Sequence, residues 1–185
     1  DSFTLLPRAG EYLLLDKTEG ARVSHTIFQV PSAAGKGVLV TPTADGNLLV
    51  GPTADAVETP ESTETTPAGL QKVATLAKKS VPSLDLRQVI TSFAGVRASE
   101  KDGDFIIKMS DTVAGLLQVA AIDSPGLTAS AAIAEYAVTL LEGAGLPLEN
   151  DPTYCGERAD NFAFRHMSDE EKDAYIKTHP AYGRV

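Results

Sequence analysis

Two stretches of the 185-residue chain carry residue types suited to chemistry. The first runs from Gly115 to Glu142. An apolar run ends at Asp123-Ser124-Pro125-Gly126, and an Ala-rich segment with helical spacing begins at once. Such a strand–turn–helix junction exposes unpaired amides at the helix N-terminus. Those amides and the helix dipole favour an anion or an electron-rich oxygen. Gly126 permits close approach to the backbone, and Ala129, Ser130 and Ala131 leave room above it. The same residues also read as a plain capped helix, with Ser124 or Thr128 as the cap. The second stretch ends at Arg97, directly after Phe93-Ala94-Gly95-Val96. A guanidinium at the end of an apolar strand can reach into a cleft and grip a carboxylate or phosphate in a fork. The simpler expectation for it is a surface ion pair.

Other candidates are weaker. Gly35-Lys36-Gly37 has a fragment of phosphate-loop composition but lacks the full spacing and precedes a strand, so it reads as a hairpin loop. His25, His166 and His179 have no metal-ligand spacing with one another or with Cys155, so no metal site is expected. Cys155 has no Cys-x-x-Cys partner and reads as an inert thiol. No Gly-x-Ser-x-Gly elbow is present, which leaves a serine hydrolase without its nucleophile motif.

The elements that must position Arg97 and the 124–128 turn are mostly strands. Residues 11–16 and 24–30 read as short strands, the latter rich in β-branched and aromatic residues and stopped by Pro31. Residues 38–43 and 48–53 flank Asp45-Gly46 and read as an antiparallel hairpin, with Pro42 and Pro52 at strand ends. A polar loop follows over 54–66. Residues 67–80 read as an amphipathic helix with Thr66 as N-cap, Pro67 at the first position, and Leu70, Val73, Leu76 and Ala77 on one face. Strands are expected over 88–98, 104–109 and 115–122, with a turn at Lys101-Asp102-Gly103. A second main helix is expected over 128–142, with Leu127, Ala131, Ala134, Val138 and Leu141 marking its buried face and Gly143 and Gly145 ending it. The fold class is therefore α+β, a mostly antiparallel sheet with two main helices. Residues 1–145 are expected to form one domain. Residues 146–185 form a connector and a short helix with Ser168 as N-cap and Glu171 at the capping-box position.

Composition sets the outer bounds. The formal net charge of −9 argues against a nucleic-acid partner and against a polybasic membrane surface. No apolar run approaches the roughly 20 residues of a membrane span. The lone Cys155 excludes an internal disulfide and fits a reducing cytoplasm.

Four segments, in order, resemble the flavin-dependent oxidoreductases of the D-amino-acid oxidase / glycerol-3-phosphate dehydrogenase superfamily. Pro7-Arg8-Ala9-Gly10-Glu11-Tyr12 is similar to the strand entering the substrate domain, and residues 37–53 to its hairpin. Phe93-Ala94-Gly95-Val96-Arg97 is similar to the strand ending in the active-site Arg, and residues 120–130 to the return toward the flavin. The closest likeness is to a bacterial glycerol-3-phosphate-dehydrogenase-like branch. There the tail, residues 146–185, resembles the connector to a Cys-rich domain of [2Fe-2S] type. The family's Gly-x-Gly-x-x-Gly fingerprint is nowhere in the chain.

The resemblance implies a fold and a role. The chain is expected to be the substrate-binding part of a flavin oxidase-like fold, lacking the Rossmann core, with that FAD-binding domain upstream. The parent would be an FAD-dependent dehydrogenase or oxidase that oxidises a small anionic substrate by hydride transfer. Glycerol 3-phosphate, a 2-hydroxy acid and an amino acid all remain open. Arg97 would anchor the substrate anion, and Tyr12 would line its cleft. Ser124, Pro125, Gly126, Leu127 and Thr128 would face the flavin from the 115–142 unit. The chain alone is expected to hold no FAD and to be inactive. A non-catalytic ligand-binding or interaction module of similar fold stays open at this point. A hydrolase using Asp/His chemistry is disfavoured by the scattered histidines.

Overall fold

The computed structural model describes residues 3–31, 37–101, 103–157 and 164–183. Gly35 and Lys36 of the proposed hairpin loop, and Asp102 of the proposed turn, lie outside these residues. The chain divides into two units, Asp1–Pro147 and Leu148–Val185.

The first unit is organised around β1, Leu5–Leu15, an eleven-residue strand. It is far longer than the 11–16 run that apolarity marks, because its N-terminal half is held by partners rather than by burial. β5, Val89–Glu100, pairs with it antiparallel along its length. On the other edge, the hairpin of β2, Leu39–Pro42, and β3, Leu48–Gly51, forms as the Asp45-Gly46 signal predicts. β3 pairs with β1 at Leu13 to Leu15. The two-residue β4, Asp55–Ala56, pairs with β1 at Arg8 and Ala9. Composition places these residues in a polar loop; backbone pairing makes the strand, since both residues are exposed.

Pleat alternation sorts the side chains of β1 into two faces. Ala9, Leu13 and Leu15 are buried, and Leu13 and Leu15 join Val38, Val40, Leu48 and Val50 in the core. α2, Pro67–Ser80, closes that core with Val73 and Ala77. Its cap is as expected: Thr66 Oγ1 accepts from the Gly69 amide at 3.0 Å. Buried Glu11 completes this start by accepting from Thr66 N at 2.8 Å and Thr66 Oγ1 at 2.9 Å. Gly69 is required there, because a Cβ at that position would collide with the Glu11 carboxylate.

Expectations for residues 24–30 and for the last main helix are corrected. Residues 24–30 form no strand; only an isolated bridge joins Ile27 to Val40. Val30 is 91% exposed and Phe28 is exposed, so no second face is buried to hold the segment in a ladder. A one-turn helix, α1 at Lys17–Gly20, occupies the polar stretch after β1, capped by Asp16 and tied by buried Glu19 to Arg22. The last main helix, α3, spans Gly126–Gly143 and starts two residues before the expected Thr128. Neither Ser124 nor Thr128 caps it: Pro125 holds the N-cap position with no side-chain bond. Its half-buried side is Ala129, Ile133, Ala137, Leu140 and Leu141, rather than the stripe through Leu127, Ala131, Ala134 and Val138, all of which are exposed. α3 packs on a separate hairpin of β6, Ile106–Met109, and β7, Leu117–Ala120.

The second unit contains α4, Asp169–Thr178, whose capping box between Ser168 and Glu171 is complete. Tyr175 stacks on His179 at 4.1 Å and meets Tyr182 edge-on at 5.2 Å, with Phe164 against both tyrosines. No helix among the described residues is long and apolar enough to cross a membrane.

Candidate functional site

The site grows from the pairing of β1 with β5. Their register sets Tyr12 opposite Phe93, Gly10 opposite Gly95, and Arg8 opposite Arg97. Directly opposed residues of an antiparallel pair share a face. This face lies opposite the one that carries Glu11 and Leu13 into the core. It therefore presents an aromatic pair at one end, two glycines in the middle, and two arginines at the other end. Tyr12 and Phe93 stack with ring centroids 5.1 Å apart and planes 14° from parallel. Above Gly95 there is open space.

The hairpin supplies the wall. Pro52 cannot donate to a ladder, so pairing breaks between β3 and β4. Thr53 bridges the break: its amide donates to Glu11 O at 3.2 Å, and its Oγ1 accepts from the Glu11 amide at 3.1 Å. The Thr53 carbonyl is thereby free of β1 and accepts from Arg97 Nη2 at 2.8 Å. The guanidinium lies across Gly10, where a Cβ would collide with Arg97 Nη2 and would meet Pro52 Cβ at 2.9 Å. Gly51 has φ 142, a region glycine tolerates, and a Cβ there would meet Tyr12 Cδ1 at 2.6 Å. The absent side chains at Gly10 and Gly51 thus let Arg97, Pro52 and Tyr12 close over the strand pair.

The 121–126 turn is joined to the same edge of β5. Ser99, two residues beyond Arg97 on the same face, donates from Oγ to Asp123 Oδ2 at 2.7 Å. The Asp123 carbonyl accepts from the Gly126 amide at 2.6 Å. Buried Ala121 adopts φ 56, and Gly126 is needed because a Cβ would meet Ile122 Cγ2 at 2.6 Å. α3 has no acidic residue in its first turn. Among the described residues, the amides of Leu127 and Thr128 have no hydrogen-bond acceptor. Leu127 is 95% exposed.

The expected site residues therefore fall in two groups. Arg97 and Tyr12 share the glycine-floored face. Residues 124–128 open α3, and Ser99 with Asp123 ties them to the strand that bears Arg97. The surface ion pair open to Arg97 is not formed: among the described residues it meets no carboxylate. The other candidates make only local contacts in their own units. His25 is exposed and bonded to Ser24, and exposed Cys155 donates to Glu157 O at 3.4 Å. No cluster of potential metal ligands occurs among the described residues. A groove lined by Glu11, Ser62, Glu64, Gly69 and Lys72 lies on the opposite face of β1. The Glu11 carboxylate occupies the helix start there, so it is no anion site.

Sequence reasoning singled out neither Arg8, Gly10, Thr53 nor Ser99. Each acquires meaning only from the β1–β5 register, and no local pattern announces that register.

Residues 1–140 match the family described as FAD dependent oxidoreductase. The chain belongs to this family, the DAO family. A glycerol 3-phosphate dehydrogenase of Caloramator mitchellensis is 40% identical over 98% of this chain and 38% of its own length. A glycerol 3-phosphate oxidase of Mycoplasma genitalium is 41% identical over 76% of this chain and 37% of its own. The chain thus spans less than half the length of these DAO-family relatives. Among solved structures, the FAD-bound L-α-glycerophosphate oxidase of Mycoplasma pneumoniae superposes with a TM-score of 0.74. It is 34% identical, over 85% of this chain and 41% of that one.

Proposed function

We propose that this chain forms the substrate-binding part of an FAD-dependent oxidoreductase that oxidises a small anionic substrate. The observation that carries the reading is Arg97. It lies over a glycine floor, it is held by a backbone carbonyl, and it has no carboxylate partner among the described residues. A charged group kept in place without a counter-charge fits a site whose counter-charge is the ligand. In this reading the substrate anion docks on Arg97, and its carbon skeleton lies over Gly95, where the face is open. The Tyr12–Phe93 stack limits its length and excludes water from that end.

The residues at the start of α3 fit a flavin. The amides of Leu127 and Thr128, with an uncompensated helix dipole behind them, suit an electron-rich oxygen of the flavin pyrimidine. Ser124, Pro125 and Gly126 present backbone beside it with little side-chain bulk. Bound FAD would supply two-electron, hydride-accepting chemistry. The protein's share is to orient the substrate, to stabilise negative charge at the α3 N-terminus and to keep water out.

The grip on the adenosine half of FAD belongs, in this reading, to a dinucleotide-binding Rossmann domain outside these 185 residues. The 146–185 tail leads toward a Cys-rich [2Fe-2S]-type domain, and the lone Cys155 suits a cytoplasmic setting. Glycerol 3-phosphate is the leading substrate, on the names of the two relatives near 40% identity. The test is anaerobic flavin bleaching of the full-length protein by glycerol 3-phosphate, 2-hydroxy acids and amino acids. Bleaching by one of these anions supports the reading. A flavin that none of them reduces overturns it in favour of a non-catalytic ligand-binding module.

A further inference from the structure

The geometry points to Arg8 as a second anion-binding residue, one that with Arg97 forms a two-guanidinium seat for a phosphate monoester. This rests on the flavoenzyme reading and narrows its substrate class. Arg8 and Arg97 are direct cross-strand partners on the same face. Like charges placed so are ordinarily destabilising. Nevertheless, among the described residues neither meets a carboxylate. Each guanidinium is instead fixed by one of two consecutive backbone carbonyls. Arg97 Nη2 donates to Thr53 O at 2.8 Å, and Arg8 Nη2 to Ala54 O at 3.2 Å. The acid that follows, Asp55, pairs with Ala9 in the register, and its carboxylate accepts from Lys72 Nζ at 2.7 Å. The fold thus sets two cross-strand cations on one face, anchors them on consecutive carbonyls and commits the neighbouring acid elsewhere.

This arrangement matches the ligand's charge. A carboxylate carries one charge and is satisfied by one guanidinium fork. A phosphate monoester carries about −1.5 to −2 charges at pH 7 and has three strong acceptor oxygens. Two guanidiniums anchored on consecutive carbonyls of one segment supply donors for more than one oxygen and offset that charge. They also leave a monocarboxylate facing an unmatched second cation. Arg8 therefore sets the preference for phosphate over carboxylate, and Arg97 binds either.

The experiment compares the FAD-loaded full-length enzyme with its Arg8→Gln and Arg8→Lys variants. Arg8→Gln is expected to lower kcat/KM for glycerol 3-phosphate about 30-fold, mainly through KM. Its phosphate-to-carboxylate preference, measured against a 2-hydroxy monocarboxylate, should drop at least about tenfold. Arg8→Lys should recover part of the loss, because charge returns without the fork. A second readout needs no turnover: calorimetric binding of inorganic phosphate should weaken by about tenfold in Arg8→Gln. Loss of phosphate binding without loss of glycerol 3-phosphate preference would mark a free-phosphate site and overturn the substrate assignment. An unchanged preference, or equal losses for both substrate types, would overturn it as well. If no anion bleaches the wild-type flavin, the flavoenzyme reading fails by itself. The calorimetric arm then still decides whether Arg8 and Arg97 seat phosphate.

Discussion

At Gly10 a single added methyl group would strike both Pro52 and the Arg97 guanidinium, so this position tests the site without touching a charge. Gly10→Ala is expected to displace Arg97 from the Thr53 carbonyl and to raise KM about tenfold in the full-length enzyme, with a smaller change in kcat. Steady-state kinetics on the substrate that bleaches the flavin checks it. Arg97→Leu removes the anchoring charge and should cost about 100-fold in kcat/KM, with partial return in Arg97→Lys. Arg97 is legible as a single residue, because a guanidinium at the end of an apolar strand already suggests a cleft, whereas Tyr12 enters only through the family resemblance. Arg8, Gly10 and Thr53 are not legible. Their roles depend on cross-strand partners some 40 to 90 positions away, and no window of local sequence contains that pairing.

Among the elements, α2 is where local sequence and structure agree most closely. Its cap, its first-position Pro67 and its Val73/Ala77 face all follow from near-neighbour rules. One addition is tertiary: Glu11 docks on Thr66 from the central strand. Thr66→Ala removes the cap and a Glu11 partner together. A loss of about 1–2 kcal/mol is expected, read as a lowered urea midpoint. Residues 24–30 had strand composition yet form only one bridge, because composition cannot supply a buried face. In α3 the Ala-rich surface gives little contrast between sides, so of the expected stripe only Leu141 is half-buried and the rest is exposed. Its start still invites a test. Thr128→Asp sets a carboxylate among the free amides, and FAD retention in the full-length protein should weaken about tenfold, measured by fluorescence on dilution. At α1, hydrogen bonds from Arg22, reinforced by the Asp85 amide, hold the Glu19 carboxyl below its usual range and outweigh the opposing effect of burial. A depressed carboxyl contributes its full stability above the ordinary value and loses it as pH falls through the lower folded value. The stability gap between wild type and Glu19→Gln should therefore stay constant above about pH 5 and shrink in acid. Urea titrations at several pH values would show it.

Over the whole molecule, the segment that would face FAD contributes only backbone amides at one helix start. These 185 residues, expressed alone, should purify without visible flavin absorbance. Stoichiometric yellow protein would contradict the split of FAD contacts proposed above. The fold class and the hairpin were readable because alternation and turn chemistry are local. The division of labour between sheet faces was not, since it requires knowing that β1 lies between β5 and the hairpin.

That central strand has a consequence for how specificity can change. Along β1 the odd positions Ala9, Glu11, Leu13 and Leu15 face the core or the α2 start, whereas Arg8, Gly10 and Tyr12 face the site. In the proposed reading, stability and substrate choice are thus written on interleaved positions of one ribbon. A variant library confined to the even positions of β1 and their partners on β5 would search substrate space while the interior stays constant. A one-residue deletion in β1 would exchange the two sets at once. This strand can accept new ligands by substitution and not by changes in its length.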